Sequence, residues 1–386
     1  MKKNKNQSDD VNGYIEGYYG RLLNWEDRKL IIKSLKKNKM NTYFYAPKED
    51  INHRLDWRKN YSVKWRKNFR DFNNFSQQFN IRVIAGIAPG IDFDFANFNN
   101  TFDTNVKSDI NILVQKSQQL ISDGATAIAL LLDDISNDFQ KNFGNKVSEG
   151  KSHATLANVL SKKLNANIFF VPRVYADELI EESPNYLIDL HASLNKNIKI
   201  FYCGENVVCK TLPNFPKINN KFLNQIVYWD NYYANDYCPR RLFVGPYSGR
   251  KSFKNIMINA TGLIKTDLLI LDIITSTINK KNPNKAWLET LNAHKVPLVF
   301  NQIKKFFLKP DFSSVPPLNN YSFNSKYFEA LELLLWSWKS QLSREWYPYL
   351  FGLKHDLQLN QRTLTSERLI KTQNLPLAQY IKKGEL

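Results

Sequence analysis

The sequence predicts an α/β protein built on a closed (β/α)8 TIM barrel, followed by a small helical region at the C-terminus. Three observations predict it. Short β-rich runs alternate with amphipathic stretches of helix length from residue 12 to about 282 of the 386. Eight such runs occur, the number that closes a barrel, over a span near its usual size of about 250 residues. Several runs are apolar on both faces, as strands are when barrel filling covers one face and helices the other. An open doubly wound sheet is the competing arrangement, but no GxGxxG follows the first run.

Taken in order, the expected strands are 14–19 (YIEGYY), 41–46 (NTYFYA), 82–88 (RVIAGIA), 127–133 (AIALLLD), 167–172 (NIFFVP), 198–203 (IKIFYC), 225–230 (QIVYWD) and 241–245 (RLFVG). Between them, helical periodicity is clear at 25–38, through Trp25, Leu30, Ile31 and Leu35, and at 105–122, through Val106, Ile110, Leu113 and Leu120. From 283 the strands stop. The stretches KAWLETLNA, FNQIKKFF and KYFEALELLLWSWKSQL read as helices, with a Pro- and Ser-rich connector at 309–323. The expected division is therefore a tail, 1–11, a catalytic barrel, 12–282, and a helical appendage, 283–386.

Composition narrows the class. Apolar residues make up 43% and aromatics 13%, so the chain is globular and not disordered. A net charge of +18 admits a polyanionic partner such as nucleic acid or an acidic glycan. The cations, however, gather at Lys33, Lys36, Lys37 and Lys39 and at Arg58, Lys59, Lys64, Arg66 and Lys67, where solvated helix faces would lie. Charge is read first as a composition bias, and nucleic acid ranks last among partners. Three cysteines with no CxxC suit a reducing compartment. No apolar stretch follows the basic start, MKKNKNQSDDVNG, so no export signal is visible, and a cytoplasmic or otherwise delivered protein is expected. No apolar run approaches a membrane span. Nothing in the sequence fixes an oligomeric state.

In such a barrel the reacting groups sit at the C-terminal ends of the strands, where the βα loops meet. Unusual polar residues collect at those ends: Glu16, Lys48, Asp92, Asp133, Asp134, Asp230 and Asp236, joined by Tyr19, Tyr175, Trp229 and Tyr247. The pair Asp133 and Asp134 closes the apolar run ALLLDD, where ionised carboxylates are costly unless paired or shifted in pKa. Each residue also has a plain reading as a cap or a turn; their coincidence on one rim raises the functional one. Carboxylates, one Lys and several aromatics suit a sugar site. The five His show no HxxxH or HxH spacing, and GPYSGRKS lacks the Gly-Lys pair of a phosphate loop. Neither a metal nor another cofactor is expected.

Six motifs in order, GYIEGYYGR, MNTYFYAPKEDINHRLDWR, IAPGIDFDF, ALLLDDI, YWDNYYANDY and RLFVGPYSGR, resemble the catalytic domain of glycoside hydrolase family 84. That family includes the β-N-acetylglucosaminidases called O-GlcNAcases and bacterial enzymes long labelled hyaluronidases. The resemblance runs from about residue 12 to 280. It implies a retaining mechanism in which the substrate's own 2-acetamido oxygen attacks the anomeric carbon, the exception to a nucleophilic carboxylate. It further implies that Asp133 orients the acetamido group and that Asp134 is the general acid and base. Gly17 and Lys48 look like binders of sugar hydroxyls, Asn231 and Asp236 like residues holding the acetamido group and outer hydroxyls, and Tyr19, Tyr175 and Trp229 like the wall around the acetyl group.

The chain departs from the family pattern in places. PRVY stands where PTEY is common, which introduces Arg173 and Val174. Near Thr266 the sequence reads IKTDL, where an Asn before Pro that binds a sugar hydroxyl is expected. The activity implied is removal of β-linked GlcNAc, most of all from Ser or Thr of proteins, so the partner is a GlcNAc-bearing glycoprotein or glycan. The alternatives are a hexosaminidase acting on hyaluronan-type chains and a glycan-binding barrel with weak hydrolysis or none.

Overall fold

A computed structural model describes residues 10–96, 108–143, 148–212, 222, 225–250, 253–280, 282–308 and 325–360. The connector 309–323, most of the N-terminal tail and the last two residues of GPYSGRKS lie outside the described residues.

Eight parallel strands close into a barrel in sequence order. They are β1 (Asn12–Glu16), β2 (Thr42–Tyr45), β3 (Arg82–Ile87), β4 (Ala127–Leu131), β5 (Phe169–Val171), β6 (Lys199–Tyr202), β7 (Ile226–Asp230) and β8 (Ile256–Asn259). The ring shuts where Ile256 and Met257 of β8 pair with Asn12 and Gly13 of β1. Helices α1 (Trp25–Lys37), α2 (Val63–Gln78), α3 (Asp109–Ser122), α4 (Phe139–Phe143), α5 (Glu149–Leu164), α6 (Tyr186–Ser193) and α7 (Ile264–Lys280) fall between or after the strands. Local chemistry starts several of them. Asn24 accepts from Asp27 N at α1, Ser62 from Trp65 N at α2 and Ser148 from Lys151 N at α5.

Seven strands lie where alternation predicts them. The eighth does not. RLFVG at 241–245 forms no strand: Val244 N bonds to Phe307 O at 3.0 Å, and a Cβ on Gly245 would lie 2.0 Å from Leu308 O. The true β8 is IMIN, fifteen residues later by its first position. Both are short apolar runs between turn residues, and periodicity alone does not separate them.

The chain forms two compact units. One comprises residues up to Asp236 with Pro246–Trp287; the other comprises Tyr237–Gly245 with the segment from Leu288 onward. In the second unit, two 3₁₀ turns (Leu298–Gln302 and Lys304–Phe307) replace the helix expected at FNQIKKFF. The long helix expected at KYFEALELLLWSWKSQL is broken. Helix α9 (Ser325–Glu332) passes into a π turn, and Trp338 is extended before α10 (Gln341–Asn360); α8 (Pro283–Ala293) precedes them. Buried Trp346 gathers Phe300, Phe307 and Trp338 into that unit's core.

The inside of the barrel is identified by contacts across the ring. Phe44 on β2 stacks on Phe201 of β6 at 4.9 Å, and Trp229 at β7 packs edge-on against both. These residues share one cluster with Ile15, Ile84, Ala129, Leu131, Val171, Val227 and Met257. On every strand they fall on alternate positions, because successive strand side chains point to opposite faces.

Candidate active site

That alternation, continued past the strand ends, builds the mouth. Ile15 is followed by Gly17, Phe44 by Ala46 and Lys48, Leu131 by Asp133, Val227 by Trp229 and Asn231, and Met257 by Asn259. The opposite set faces the helices. Glu16 and Asp230 belong to it, and each is spent on structure. Glu16 receives Arg28 Nε and Nη2 at 2.8 and 2.9 Å, with Tyr43 OH and Leu23 N completing its bonds. Asp230 receives Arg250 Nε and Nη2 at 2.9 and 2.7 Å, Tyr247 OH and Tyr232 N. Asp92 is likewise engaged by Arg58 and Trp57. Of the polar strand ends singled out in the sequence, Glu16, Asp92, Asp230 and Tyr247 therefore hold loops together.

Asp133 and Asp134 sit together as expected. Asp133 is 7% exposed, and its Oδ2 accepts from Lys48 Nζ at 2.5 Å. Its other oxygen, Oδ1, is buried with no hydrogen-bond partner among the described residues. Asp134 has the wrong strand parity for the mouth and reaches it by a backbone turn at φ +53°, in the left-handed region that few non-glycine residues adopt. Its Oδ1 accepts from Tyr175 OH at 2.8 Å and its Oδ2 from Tyr19 OH at 2.9 Å, with Lys48 Nζ 3.5 Å away. Arg54, on the loop after β2, donates to the Asp134 carbonyl at 2.7 Å and to Tyr19 OH at 2.6 Å.

The environment drives the two carboxyls apart. Burial pushes Asp133 up and the Asp134 charge adds to it, with Lys48 opposing. Burial also acts on Asp134, but Lys48, the Tyr175 and Tyr19 hydroxyls and Arg54 outweigh it and hold that carboxyl below the usual range. Of the two, Asp133 is therefore the one that takes up a proton first as pH falls. Both phenols are raised, by burial and then by the Asp134 charge, so they act as donors and stay neutral.

The remaining predicted residues also line this mouth. A Cβ on Gly17 would meet the Trp229 ring at 2.5 Å, so glycine is what lets the indole lie against β1. Trp229 Nε1 donates to Asn231 Oδ1 at 3.0 Å, and Asn231 Nδ2 donates to Val207 O at 2.9 Å. Asp236 Oδ2 accepts from Tyr19 N at 3.0 Å.

Two residues escape the sequence reading. Asn259 ends β8 on the inner face; its Nδ2 donates to Asn231 Oδ1 at 2.9 Å, and its Oδ1 is buried with no partner among the described residues. It supplies an asparagine at the rim, whereas Thr266, where that residue is sought in sequence, is buried within α7. The signal was present in NIMINA but was masked by the misplaced strand. Arg54 is the other, in a stretch, INHRLDWR, that resembles a charged surface loop. The PRVY departure leaves the mouth unchanged in charge: Arg173 turns to Glu149 (Nε–Oε1 2.5 Å), and Val174 is buried. Among the described residues, no group of three or more His, Cys, Asp or Glu converges as a metal cradle, and no helix is long and apolar enough to cross a membrane.

This arrangement offers two carboxyls of unlike proton affinity, two phenol donors, a buried ammonium and an indole wall, suited to holding an amide and moving a proton beside it. The sequence profile of the NAGidase family, beta-N-acetylglucosaminidase, matches residues 12–307. The Protein O-GlcNAcases of Rattus norvegicus and Mus musculus are each 32% identical to the chain over 250 residues, 62% of this chain and 26% of theirs. The chain thus spans about a quarter of the length of these curated relatives. Among solved structures, a mutant of the Thermobaculum terrenum O-GlcNAc hydrolase matches with a TM-score of 0.68 at 21% identity, over 97% of this chain and 81% of that one. At that identity the likeness is one of fold.

Proposed function

The chain belongs to the β-N-acetylglucosaminidase family, and we propose that it is a retaining exo-β-N-acetylglucosaminidase that removes O-linked GlcNAc from Ser and Thr of proteins. The observation that carries this reading is the unequal pair at the end of β4: Asp133 with one oxygen unpartnered, and Asp134 held by two exchangeable hydroxyl donors.

In the proposed reaction, the acetamido oxygen attacks the anomeric carbon while the bond to the leaving oxygen breaks, and Asp134 gives its proton to that oxygen. Asp133 accepts the acetamido N–H through its free oxygen and stabilises the positive charge of the oxazolinium-like ring. Asp134 then takes a proton from water, which attacks the same carbon and reopens the ring. Two inversions leave the β configuration.

The free-state proton order is the reverse of what this needs, and substrate would correct it. An N–H donor on Asp133 lowers that carboxyl. If Tyr175 OH moves to the acetamido oxygen, Asp134 loses a donor just as the sugar excludes water, and its pKa rises. Lys48, Asn231, Asp236, Asn259 and the backbone at Gly17 then bind hydroxyls and the amide, and Tyr19, Tyr175 and Trp229 enclose the acetyl methyl.

Hydrolysis of an aryl β-GlcNAc glycoside by wild type, Asp133→Asn and Asp134→Asn tests the mechanism. Each variant is expected to lose about 10²–10⁴ in kcat/KM, and the Asp134→Asn loss should shrink when the leaving phenol is acidic. Equal activity in all three would end the reading. The net charge of +18 favours a second one, in which the same site trims an acidic glycan; turnover of a GlcNAc-modified peptide against a hyaluronan-type oligomer separates the two. Against the binding-only alternative, Arg173 pairs with Glu149 away from the mouth, and Asn259, at the end of β8, supplies an asparagine at the rim in place of the one sought near Thr266.

A further inference from the structure

We infer that Arg54 is a positioning residue for the proton donor: it fixes the backbone and the carboxyl of Asp134 without itself touching the sugar. The inference rests on the acid–base role proposed for Asp134. Three residues from three different loops close a ring. Arg54 Nη2 donates to the Asp134 carbonyl at 2.7 Å, Arg54 Nη1 donates to Tyr19 OH at 2.6 Å, and Tyr19 OH donates to Asp134 Oδ2 at 2.9 Å. One guanidinium therefore sets both the turn that aims Asp134 inward and the hydroxyl that orients its carboxyl. A planar fork can make both bonds at once; an ammonium on a flexible stem cannot hold that geometry.

The need for such a clamp follows from the strand. Asp134 lies on the helix-facing parity and reaches the mouth only through a left-handed φ of +53°, a conformation that a non-glycine residue keeps only when its surroundings impose it. The clamp is itself anchored. Lys116 of α3 is buried, and its Nζ donates to the carbonyls of Asn52, Trp57 and Lys59, at 2.6, 2.7 and 2.7 Å, which bracket Arg54 on both sides. A further tie joins the loops after β1 and β2, from Gly20 N to Glu49 Oε1 at 2.7 Å. The charged and titratable groups facing Asp134 include Lys48, Asp133, Tyr19, Tyr175, Cys203 and Arg54, so removing Arg54 also removes a cation that lowers its carboxyl.

The test compares two substrates, a β-GlcNAc glycoside of an acidic nitrophenol and one of a simple alkanol, whose departure needs the proton. For Arg54→Met, kcat/KM on the alkyl glycoside should fall about 10²-fold, the usual cost of misplacing a reacting group by an ångström. On the nitrophenyl glycoside it should stay within about threefold, because little proton transfer is required there. Arg54→Lys, which retains the charge, should show the same split in weaker form and carries the test if Arg54→Met does not fold. In an Asp134→Asn background, Arg54→Met should add nothing to the alkyl-glycoside loss. Equal losses on both glycosides, or full additivity with Asp134→Asn, would overturn the inference while leaving the acid role intact. An Asp134→Asn enzyme with no leaving-group dependence would overturn both.

Discussion

Carboxylates at the ends of β1 and β7 and those at the end of β4 occupy the same rim of the same barrel, yet they are treated in opposite ways. Glu16 and Asp230 each receive a two-pronged arginine and further donors, so every oxygen is satisfied. Asp133 has one lysine and an oxygen without a partner; Asp134 is held by two tyrosine hydroxyls. Fork-shaped, charge-assisted pairs are strong and specific, and a ligand does not displace them readily. Single hydroxyls and an ammonium are donors that a sugar can replace. The difference teaches that function at this rim lies where pairing is deliberately incomplete, whereas charge alone marks both kinds of site.

The comparison breaks most readily at Arg250. Its guanidinium is buried against Asp230 and lies 4.4 Å from the centre of the Tyr232 ring. Arg250→Met would strand a buried carboxylate, and the expected loss of folding stability is about 3–5 kcal/mol. Asp133→Asn should cost much less. It weakens the Lys48 pair but removes like-charge repulsion from Asp134, which still lies 3.5 Å from Lys48 Nζ, so stability should fall far less than in Arg250→Met while activity collapses. Urea unfolding of both variants beside wild type measures this. If Asp133→Asn proves the less stable of the two, the division between structural and working carboxylates is wrong.

Much of this was legible before any coordinates. Seven strands and their polar ends follow from alternation, because a barrel strand buried on both faces leaves a dense apolar run. The same density misplaced β8, since RLFVG and IMIN carry equal signals and only backbone pairing tells them apart; Asn259 was lost with it. The sorting of carboxylates was illegible for another reason. Glu16 and Asp230 differ from Asp133 by strand parity and by arginines 12 and 20 residues away, and which partner closes on which oxygen is settled by packing. Asp134 defeats parity altogether by adopting a left-handed turn. Its place at the mouth was expected from the family resemblance, and the backbone explains how it gets there.

A smaller effect, and one that sharpens the comparison, is expected at Gly17. The Trp229 ring packs edge-on against the stacked Phe44 and Phe201, so it has little room to yield to a new methyl group 2.5 Å from its edge. Gly17→Ala should cost about 1–3 kcal/mol through overpacking. By tilting the indole that bonds Asn231, it should also lower kcat/KM about tenfold or more. Stability lost with activity per folded molecule intact would mean that the inner parity builds the core only, and that Trp229 is not part of the pocket wall.

Incomplete pairing is not by itself a mark of function, and the buried histidines show why. His53 Nε2 and His153 Nε2 have no hydrogen-bond partner among the described residues, as Asp133 Oδ1 has none. Burial pushes both imidazoles down to about 3, so they stay neutral, and a neutral ring nitrogen tolerates isolation far better than a carboxylate oxygen does. The consequence appears in acid. An unfolded histidine titrates near ~6.5, so between that value and about 3 the unfolded chain binds more protons than the native one. Stability is fully present above the upper value and falls as pH drops, by about 1.4 kcal/mol per pH unit for each ring. His153 packs among Phe95, Phe139 and Tyr186, with its Nδ1 2.9 Å from Tyr186 OH. His153→Phe should therefore cost about 1 kcal/mol at neutral pH through the lost hydrogen bond. It should also remove one proton from the slope between pH 6 and 4, with kcat/KM at pH 7 unchanged. Chemical unfolding across that range reads both numbers. An unaltered slope would mean that His153 is already charged in the native protein, and that the contrast drawn here between neutral and ionised unpaired groups does not hold.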